Sequence, residues 1–186
     1  DDAIWSLDAE GTLTISGEGK YNVPYYNAPW LAYKENIKNV VIEEGITNIP
    51  WASFYDLFNA VSLSIPSTVA SIDTYYNNGF AEIKVADGNN YYSVIDGVLF
   101  NHDKTELIMY PAKKADETYT VPDGVTILGS YAFYLSENLK TVNISDDVTT
   151  IEAYCFNCAS IENINFGKNV EVVEFNAFPS TKLKTM

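Results

Sequence analysis

The sequence predicts a solenoid: stacked coils of 22 to 23 residues with a short-stranded parallel sheet on one face, a hairpin cap and a second, inserted hairpin. Three observations predict it. Leu139, Val142, Ile144, Val148, Ile151 and Phe156 are followed 22 residues later by Ile161, Ile164, Phe166, Val170, Val173 and Phe178. The register extends backwards at a step of 23, with Val121, Val125, Leu128 and Phe133 preceding Ile144, Val148, Ile151 and Phe156, and with Val40, Ile42, Ile46 and Ile49 preceding Leu63, Ile65, Val69 and Ile72. Each unit also has the same internal order: an alternating apolar run, a polar turn, a Val-x-x-Ile and an aromatic. One such unit cannot bury its own apolar face, so it must lean on its neighbours.

Residues 1–36 do not share the period. Ile4-Trp5-Ser6-Leu7-Asp8 and Thr12-Leu13-Thr14-Ile15-Ser16 alternate around Ala9-Glu10-Gly11, which predicts a short hairpin serving as N-terminal cap. Residues 37–82 hold two coils, and residues 119–186 hold three more with the start of another. Cap and solenoid (37–186) are expected to form one structural domain. Within each coil, Leu-x-x-Val-x-Ile suits a strand that pairs in parallel with its equivalent about 4.8 Å away, and these strands are expected to form one continuous sheet. Turns follow at Glu43-Glu44-Gly45, Pro66-Ser67, Pro122-Asp123-Gly124 and Asp146-Asp147. Val-x-x-Ile then brings the chain back inside, and Phe54, Phe133, Phe156 or Phe178 plugs the return. Each such plug is worth roughly 1.5 to 3 kcal/mol when fully buried. In the second coil Tyr75-Tyr76-Asn77-Asn78-Gly79-Phe80 delays the plug by three residues.

Residues 83–118 break the period. Val98-Leu99-Phe100 and Leu107-Ile108-Met109-Tyr110 flank the polar stretch Asn101–Glu106, with Asp96-Gly97 before and Pro111 after, so this insert is expected to contain a hairpin. At the far end Leu183-Lys184-Thr185-Met186 repeats the opening of Leu139-Lys140-Thr141-Val142 and stops, leaving a truncated coil and an expectation that the polypeptide continues. The start, Asp1-Asp2-Ala3, carries neither Met nor an apolar signal segment, as in a processed chain or a fragment.

Composition narrows the partners. With 186 residues, 47% of them hydrophobic, the chain holds enough apolar material for one extended domain. It has no run of about 20 uncharged apolar residues that could span a bilayer. A formal charge of −14 opposes phosphate backbones and anionic membrane surfaces, so neither nucleic acid nor membrane insertion is expected. All 11 basic residues are lysine, and the guanidinium fork that grips carboxylates and phosphates in pairs is missing.

The pattern Leu-x-x-Val-x-Ile-Pro-x-x-Val-x-x-Ile-x-x-x-Ala-Phe, seen nearly intact from Val121 to Phe133, resembles the BspA-type (Treponema-type) leucine-rich repeat. Trp5-Ser6-Leu7, Gly11–Gly17, Ala28-Pro29-Trp30 and Ile37–Ile42 look like the leader block that precedes such repeats, and Asp96–Phe100 through Tyr110-Pro111 looks like the family's long insert. One departure concerns the ladder asparagine that typical leucine-rich repeats carry after the strand. Here Gly45, Thr68, Gly124, Asp147 and Asn169 occupy that position, and only one coil keeps the amide. The resemblance implies a leucine-rich-repeat solenoid, and a secreted or cell-surface bacterial protein that binds other macromolecules, with adhesion as its usual role.

Catalysis needs a constellation, and none assembles. His102 is the single histidine and falls in the expected hairpin turn, where it reads as a solvated residue rather than part of a nucleophile or metal site. Cys155 and Cys158 form a Cys-x-x-Cys around the plug Phe156 and read as small apolar fillers, with a disulfide as the lesser alternative. Glu43-Glu44 and Asp146-Asp147 are acidic pairs in equivalent turns without any calcium-loop pattern, so solvated turns are the reading there. No enzyme, metal or cofactor is expected. Tyrosine is abundant, with 14 residues and pairs at Tyr25-Tyr26, Tyr75-Tyr76 and Tyr91-Tyr92, and tyrosines offer rigid amphipathic contact area.

Two functions compete. A protein-binding surface would use the strand positions between inward residues: Lys38, Val41, Ser62, Ser64, Thr141, Asn143, Glu162 and Asn165. A carbohydrate-binding module would stack sugar rings on Tyr75, Tyr76, Tyr91 and Tyr92. An aromatic row on one face favours the sugar, and a face of small polar and charged side chains favours the protein. The partner is thus a protein or a surface glycan.

Overall fold

The computed structural model describes residues 3–23, 27–74, 79–157, 159–179 and 182–184. The pairs Tyr25-Tyr26 and Tyr75-Tyr76, and Cys158, lie outside the described residues. The chain winds into a β-solenoid, as the period predicts, and its turns number about seven where the sequence counted five coils and the start of another.

The first two strands, β1 (Ile4–Leu7) and β2 (Thr12–Ser16), form the expected antiparallel hairpin. Two short turns of 3-10 helix, Pro29–Asn36, bury Trp30 and deliver the chain to β3 (Asn39–Ile42). From there each coil contributes two strands. A longer one carries the Leu-x-x-Val-x-Ile segment and a two-residue one carries the Val-x-x-Ile: β4 (Asn48–Ile49) follows β3, and β5 (Ser62–Ile65) is followed by β6 (Ser71–Ile72). The spacing appears directly in the register, where Val40 pairs with Leu63 and Ile49 with Ile72, each a step of 23.

The insert begins later than the broken period suggests. β7 (Glu82–Val85) pairs in parallel with β5 through Leu63–Ile83, so residues 82–85 are a third long strand rather than part of the interruption. Its step of 20 instead of 23 hides it from a fixed-period reading. β8 (Tyr92–Ile95), β9 (Val98–Asn101) and β10 (Glu106–Met109) then form an antiparallel meander. The β9–β10 hairpin is the expected one. β8 joins it through Asp96-Gly97, where both residues have positive φ (49° and 77°), the backbone a two-residue hairpin turn requires.

β10 also takes the short-strand place of the third coil. It pairs in parallel with β12 (Ile127–Leu128), which continues to β14 (Thr150–Ile151) and β16 (Val172–Val173). The longer strands β11 (Thr118–Thr120), β13 (Thr141–Asn143) and β15 (Asn163–Asn165) form a separate parallel sheet. The single continuous sheet expected from the sequence is therefore corrected. The long row is split into β1-β2-β3-β5-β7 and β11-β13-β15, because the meander stands where the rows would join, and the short row is a second face with sheets of its own.

Coil-to-coil hydrogen bonds repeat the period at the side-chain level. Asp147 Oδ2 accepts from the Gly124 N–H at 2.8 Å, 23 residues away. Ser67 donates N–H and Oγ–H to the Glu44 carboxylate at 2.9 Å each, and Lys168 Nζ donates to Asp146 Oδ2 at 2.8 Å. One missing ladder asparagine is replaced in kind: Thr68 Oγ1 donates to the Ile46 carbonyl at 2.7 Å, as Asn169 Nδ2 does to the Asp146 carbonyl at 2.8 Å. The acidic turns thus tie coils together rather than float. The coils approach so closely at Gly167 that any Cβ there would overlap the Ser145 carbonyl.

The plugs form columns. Phe54 and Phe80 meet edge to face at 5.7 Å, so the delayed plug of the second coil is Phe80. Tyr110, Phe133, Phe156 and Phe178 stack with centroids 5.4, 4.8 and 5.1 Å apart. Tyr110 is the plug of the third coil, unrecognised in sequence because Pro111 replaces the usual context. Cys155 is a buried free thiol whose pKa burial pushes well up, in keeping with a filler. The apolar interior divides into two clusters, one around the N-terminal coils and one around the C-terminal coils. In the last coil, Phe166 is 38% exposed rather than buried like Ile144, and Phe175 is 72% exposed, because no described coil covers them.

Candidate functional site

The structure sorts the predicted binding residues into three groups. Val41 pairs with Ser64 on the outer face of the first sheet, in a row running Thr14, Val41, Ser64 and Lys84. Ser62 leaves this group: it is only 9% exposed, and its Oγ donates to Asn39 Oδ1 at 2.8 Å, so it serves the ladder instead of solvent. Lys38 sits one residue ahead of β3, its backbone N–H bonded to the Gly11 carbonyl at 2.8 Å, and its side chain is exposed.

Thr141, Asn143 and Asn165 form the second group, on the other long-strand sheet. Asn165 Nδ2 donates to Asn143 Oδ1 at 2.7 Å, and Asn143 Nδ2 donates to Thr120 Oγ1 at 3.0 Å, an amide ladder that fixes these side chains. Glu162 stands one residue ahead of β15 in a row of alternating charge. Lys140 pairs with Glu117 at 2.5 Å and Lys184 with Glu162 at 2.6 Å. The Lys184 ammonium holds the Glu162 carboxyl below the usual range, aided by the charge of Lys140. The two groups share no sheet, because the insert separates their strands.

Tyr91 and Tyr92 form the third group, and the sequence undervalued their surroundings. Asn89, almost fully buried, donates Nδ2 to the Pro66 and Val69 carbonyls at 2.8 and 3.1 Å, and its Oδ1 accepts from the N–H groups of both tyrosines at 2.8 Å. His102 Nδ1–H donates to the Asn89 carbonyl at 3.0 Å, so the histidine is exposed yet anchored. Tyr92 Oη accepts the Ile72 N–H at 3.0 Å, tying β8 to β6, while Tyr91 stays 52% exposed.

These tyrosines wall a groove of about 410 Å³ floored by Ile72, Ile108 and Gly129. Two carboxylates face it, Glu106 from the start of β10 and Glu152 from just beyond β14. Glu152 Oε2 accepts from both N–H and Oγ–H of Ser130 at 2.9 Å. Asn101 Oδ1 accepts the N–H groups of Thr105 and Glu106 at 2.9 and 3.0 Å and so sets the turn that presents Glu106. Burial, and then the charge of Glu152, push the Glu106 carboxyl above the usual range. Glu106, Glu152 and Asn89 were not singled out in sequence. The two carboxylates lie 46 residues apart, and only the parallel pairing of β10, β12 and β14 brings them together.

A larger cleft of about 630 Å³ lies between the β1–β2 hairpin and the 3-10 turns, where Trp5 and Tyr33 stand 5.8 Å apart. There the fold uses the acids itself: Asp8 Oδ1 accepts the Thr12 N–H at 2.7 Å and Glu35 Oε2 accepts from Asn59 at 3.2 Å.

The BspA type leucine rich repeat region matches residues 30–113 and 114–186, in six copies. The chain belongs to the BspA-type leucine-rich repeat family. The fold of this BspA-type chain is also that of solved structures. The pneumococcal vaccine antigen PcpA aligns over 80% of this chain and 50% of its own, with a TM-score of 0.65 and 21% identity. A leucine rich cell surface protein from Faecalibacterium prausnitzii A2-165 aligns over 95% and 84%, with a TM-score of 0.58 and 16% identity. The BspA-type chain thus spans half the length of the PcpA structure. No curated protein matches it. Among the described residues no helix is long and apolar enough to cross a membrane.

Proposed function

We propose that this BspA-type solenoid is a binding module of a bacterial cell surface, extracellular and non-enzymatic, that holds another protein and serves adhesion. The observation that carries the reading is the chemistry of the long-strand faces. Thr14, Ser64 and Lys84 on one sheet, with the small apolar Val41 in their row, and Thr118, Thr141 and Asn163 beside Thr120, Asn143 and Asn165 on the other, make paired rows that are polar or charged at every position but that of Val41. No aromatic interrupts either row. On the second sheet the inter-coil hydrogen bonds fix Thr120, Asn143 and Asn165 before any partner arrives, which lowers the ordering cost of association there. The net charge of −14 favours a basic partner. The similarity to a pneumococcal antigen and to a cell surface protein supports the surface location, by analogy of fold.

The test is capture from host and bacterial surface extracts on immobilised protein, followed by rebinding of the purified captured protein to wild type and to Ser64→Arg and Thr141→Arg, with a glycan array run alongside. Saturable rebinding that drops at least about tenfold in one variant supports the reading. Rebinding that both variants leave untouched, or retention of glycans alone, overturns it.

A further inference from the structure

The groove beside Tyr91 contains a carboxylate that the fold itself does not use. Glu106 is half-buried, its carboxylate has no hydrogen-bond partner, and no lysine lies within ion-pair distance of it among the described residues. The charge facing it is another carboxylate, Glu152, and the titratable groups at its side are the Tyr91 and Tyr92 hydroxyls. Its Oε1 lies over Gly129, where an added Cβ would come within 3.1 Å of it. Such an arrangement costs the folded state, since like charges are held together away from part of their water. At Asp146, Glu162 and Glu44, by contrast, the chain answers the carboxylate with lysine or with a backbone N–H one coil away.

Beside this acid pair stands an exposed aromatic ring on an anchored stretch of backbone. Tyr91 is held through its backbone by the buried Asn89, and its side chain faces solvent. An exposed ring face next to two acceptors is an environment in which a cation is bound by charge and by the π cloud together. The groove volume of about 410 Å³ falls within the ~300–1,000 Å³ usual for ligand clefts.

We infer that this groove receives a lysine or arginine side chain of a protein partner, its stem against Tyr91 and Ile108 and its charged head between Glu106 and Glu152. The inference rests on the protein-binding reading above and names the partner's contact chemistry. The net charge of −14 draws such a partner in, and the unpaired Glu106 gives it a specific seat. The arrangement has a signature: Glu106→Gln removes the seat while relieving the repulsion with Glu152, so binding is lost as stability is kept or gained.

The experiment follows the Glu106 carboxyl carbon and the Tyr91 ring by NMR during titration with Nα-acetyl-lysine methylamide, Nα-acetyl-arginine methylamide, the uncharged Nα-acetyl-norleucine methylamide and maltotriose. Saturable shifts at both residues with the two cations, at least about tenfold weaker with norleucine and absent in Glu106→Gln, are expected. The urea midpoint of Glu106→Gln at neutral pH is expected to equal or exceed that of wild type. Equal response to lysine and norleucine, saturation by maltotriose instead, no saturable shift at all, or a destabilised Glu106→Gln each overturns the inference. With a captured protein partner in hand, unchanged binding to Glu106→Gln overturns the cation seat and leaves the protein-binding module standing. If no protein is captured, that wider reading fails on its own and the amine titration still decides the groove.

Discussion

Replacing Phe156 by alanine tests the stacked interior most directly. Phe156 is fully buried and lies between Phe133 at 4.8 Å and Phe178 at 5.1 Å, with interplanar angles of 9° and 8°. Emptying a large aromatic site costs about 3–5 kcal/mol, and each lost stacked pair carries about 0.5–1.5 kcal/mol, partly counted in the first figure. Losing a ring with neighbours on both sides places the expected cost in the upper part of that range, about 4–5 kcal/mol. Phe178 is half-buried in the last coil, and its alanine variant is expected to cost about 2 kcal/mol. Urea unfolding followed by far-ultraviolet circular dichroism measures both. Because a solenoid's stability is a sum over neighbouring coils, the Phe156→Ala transition should also broaden. A loss below about 2 kcal/mol for Phe156→Ala, or an equal loss for Phe178→Ala, would refute the reasoning.

Three further outcomes follow from single residues. Asn89→Ala deletes two donated and two accepted hydrogen bonds and is expected to cost about 2–4 kcal/mol in urea, with faster amide exchange at Tyr91 and Tyr92; unchanged exchange there would deny Asn89 its positioning role. The Tyr110 hydroxyl is buried without a partner among the described residues, as is that of Tyr119 across a 5.0 Å ring contact, so Tyr110→Phe should raise stability by about 1 kcal/mol, and a lower urea midpoint would show that the hydroxyl is satisfied. Glu106 has a raised pKa in the folded chain, so its contribution is fully present below the unfolded carboxylate range and is lost as pH rises through the folded value. Wild type should therefore lose ground to Glu106→Gln as pH rises above the unfolded carboxylate range, and parallel curves would contradict the burial and the Glu152 repulsion.

Much of the coil was legible because its signal repeats. The seven-residue step from Ile144 to Ile151 recurs from Ile42 to Ile49 and from Ile65 to Ile72, and the hairpin around Ala9-Glu10-Gly11 shows plain alternation. The short row was not legible as strands, since a two-residue strand such as Ile127–Leu128 is too brief to alternate. β7 was lost in the insert through its shortened step, and Tyr110 through its changed context. The site suffered more. Tyr91 and Tyr92 were visible as a pair, but Glu106 and Glu152 acquire meaning only when coils stack, and Asn89 looks like any loop asparagine until its partners Pro66 and Val69 are in place.

The two interior clusters share strands β9 and β10. On β9, Leu99 belongs to the N-terminal cluster while Val98 and Phe100 belong to the C-terminal one, and on β10 Met109 and Leu107 divide the same way across a β-bulge. Damage to one end of the rod is therefore poorly transmitted to the other. Heating such a molecule should give a biphasic trace, one half letting go while its twin keeps its shape.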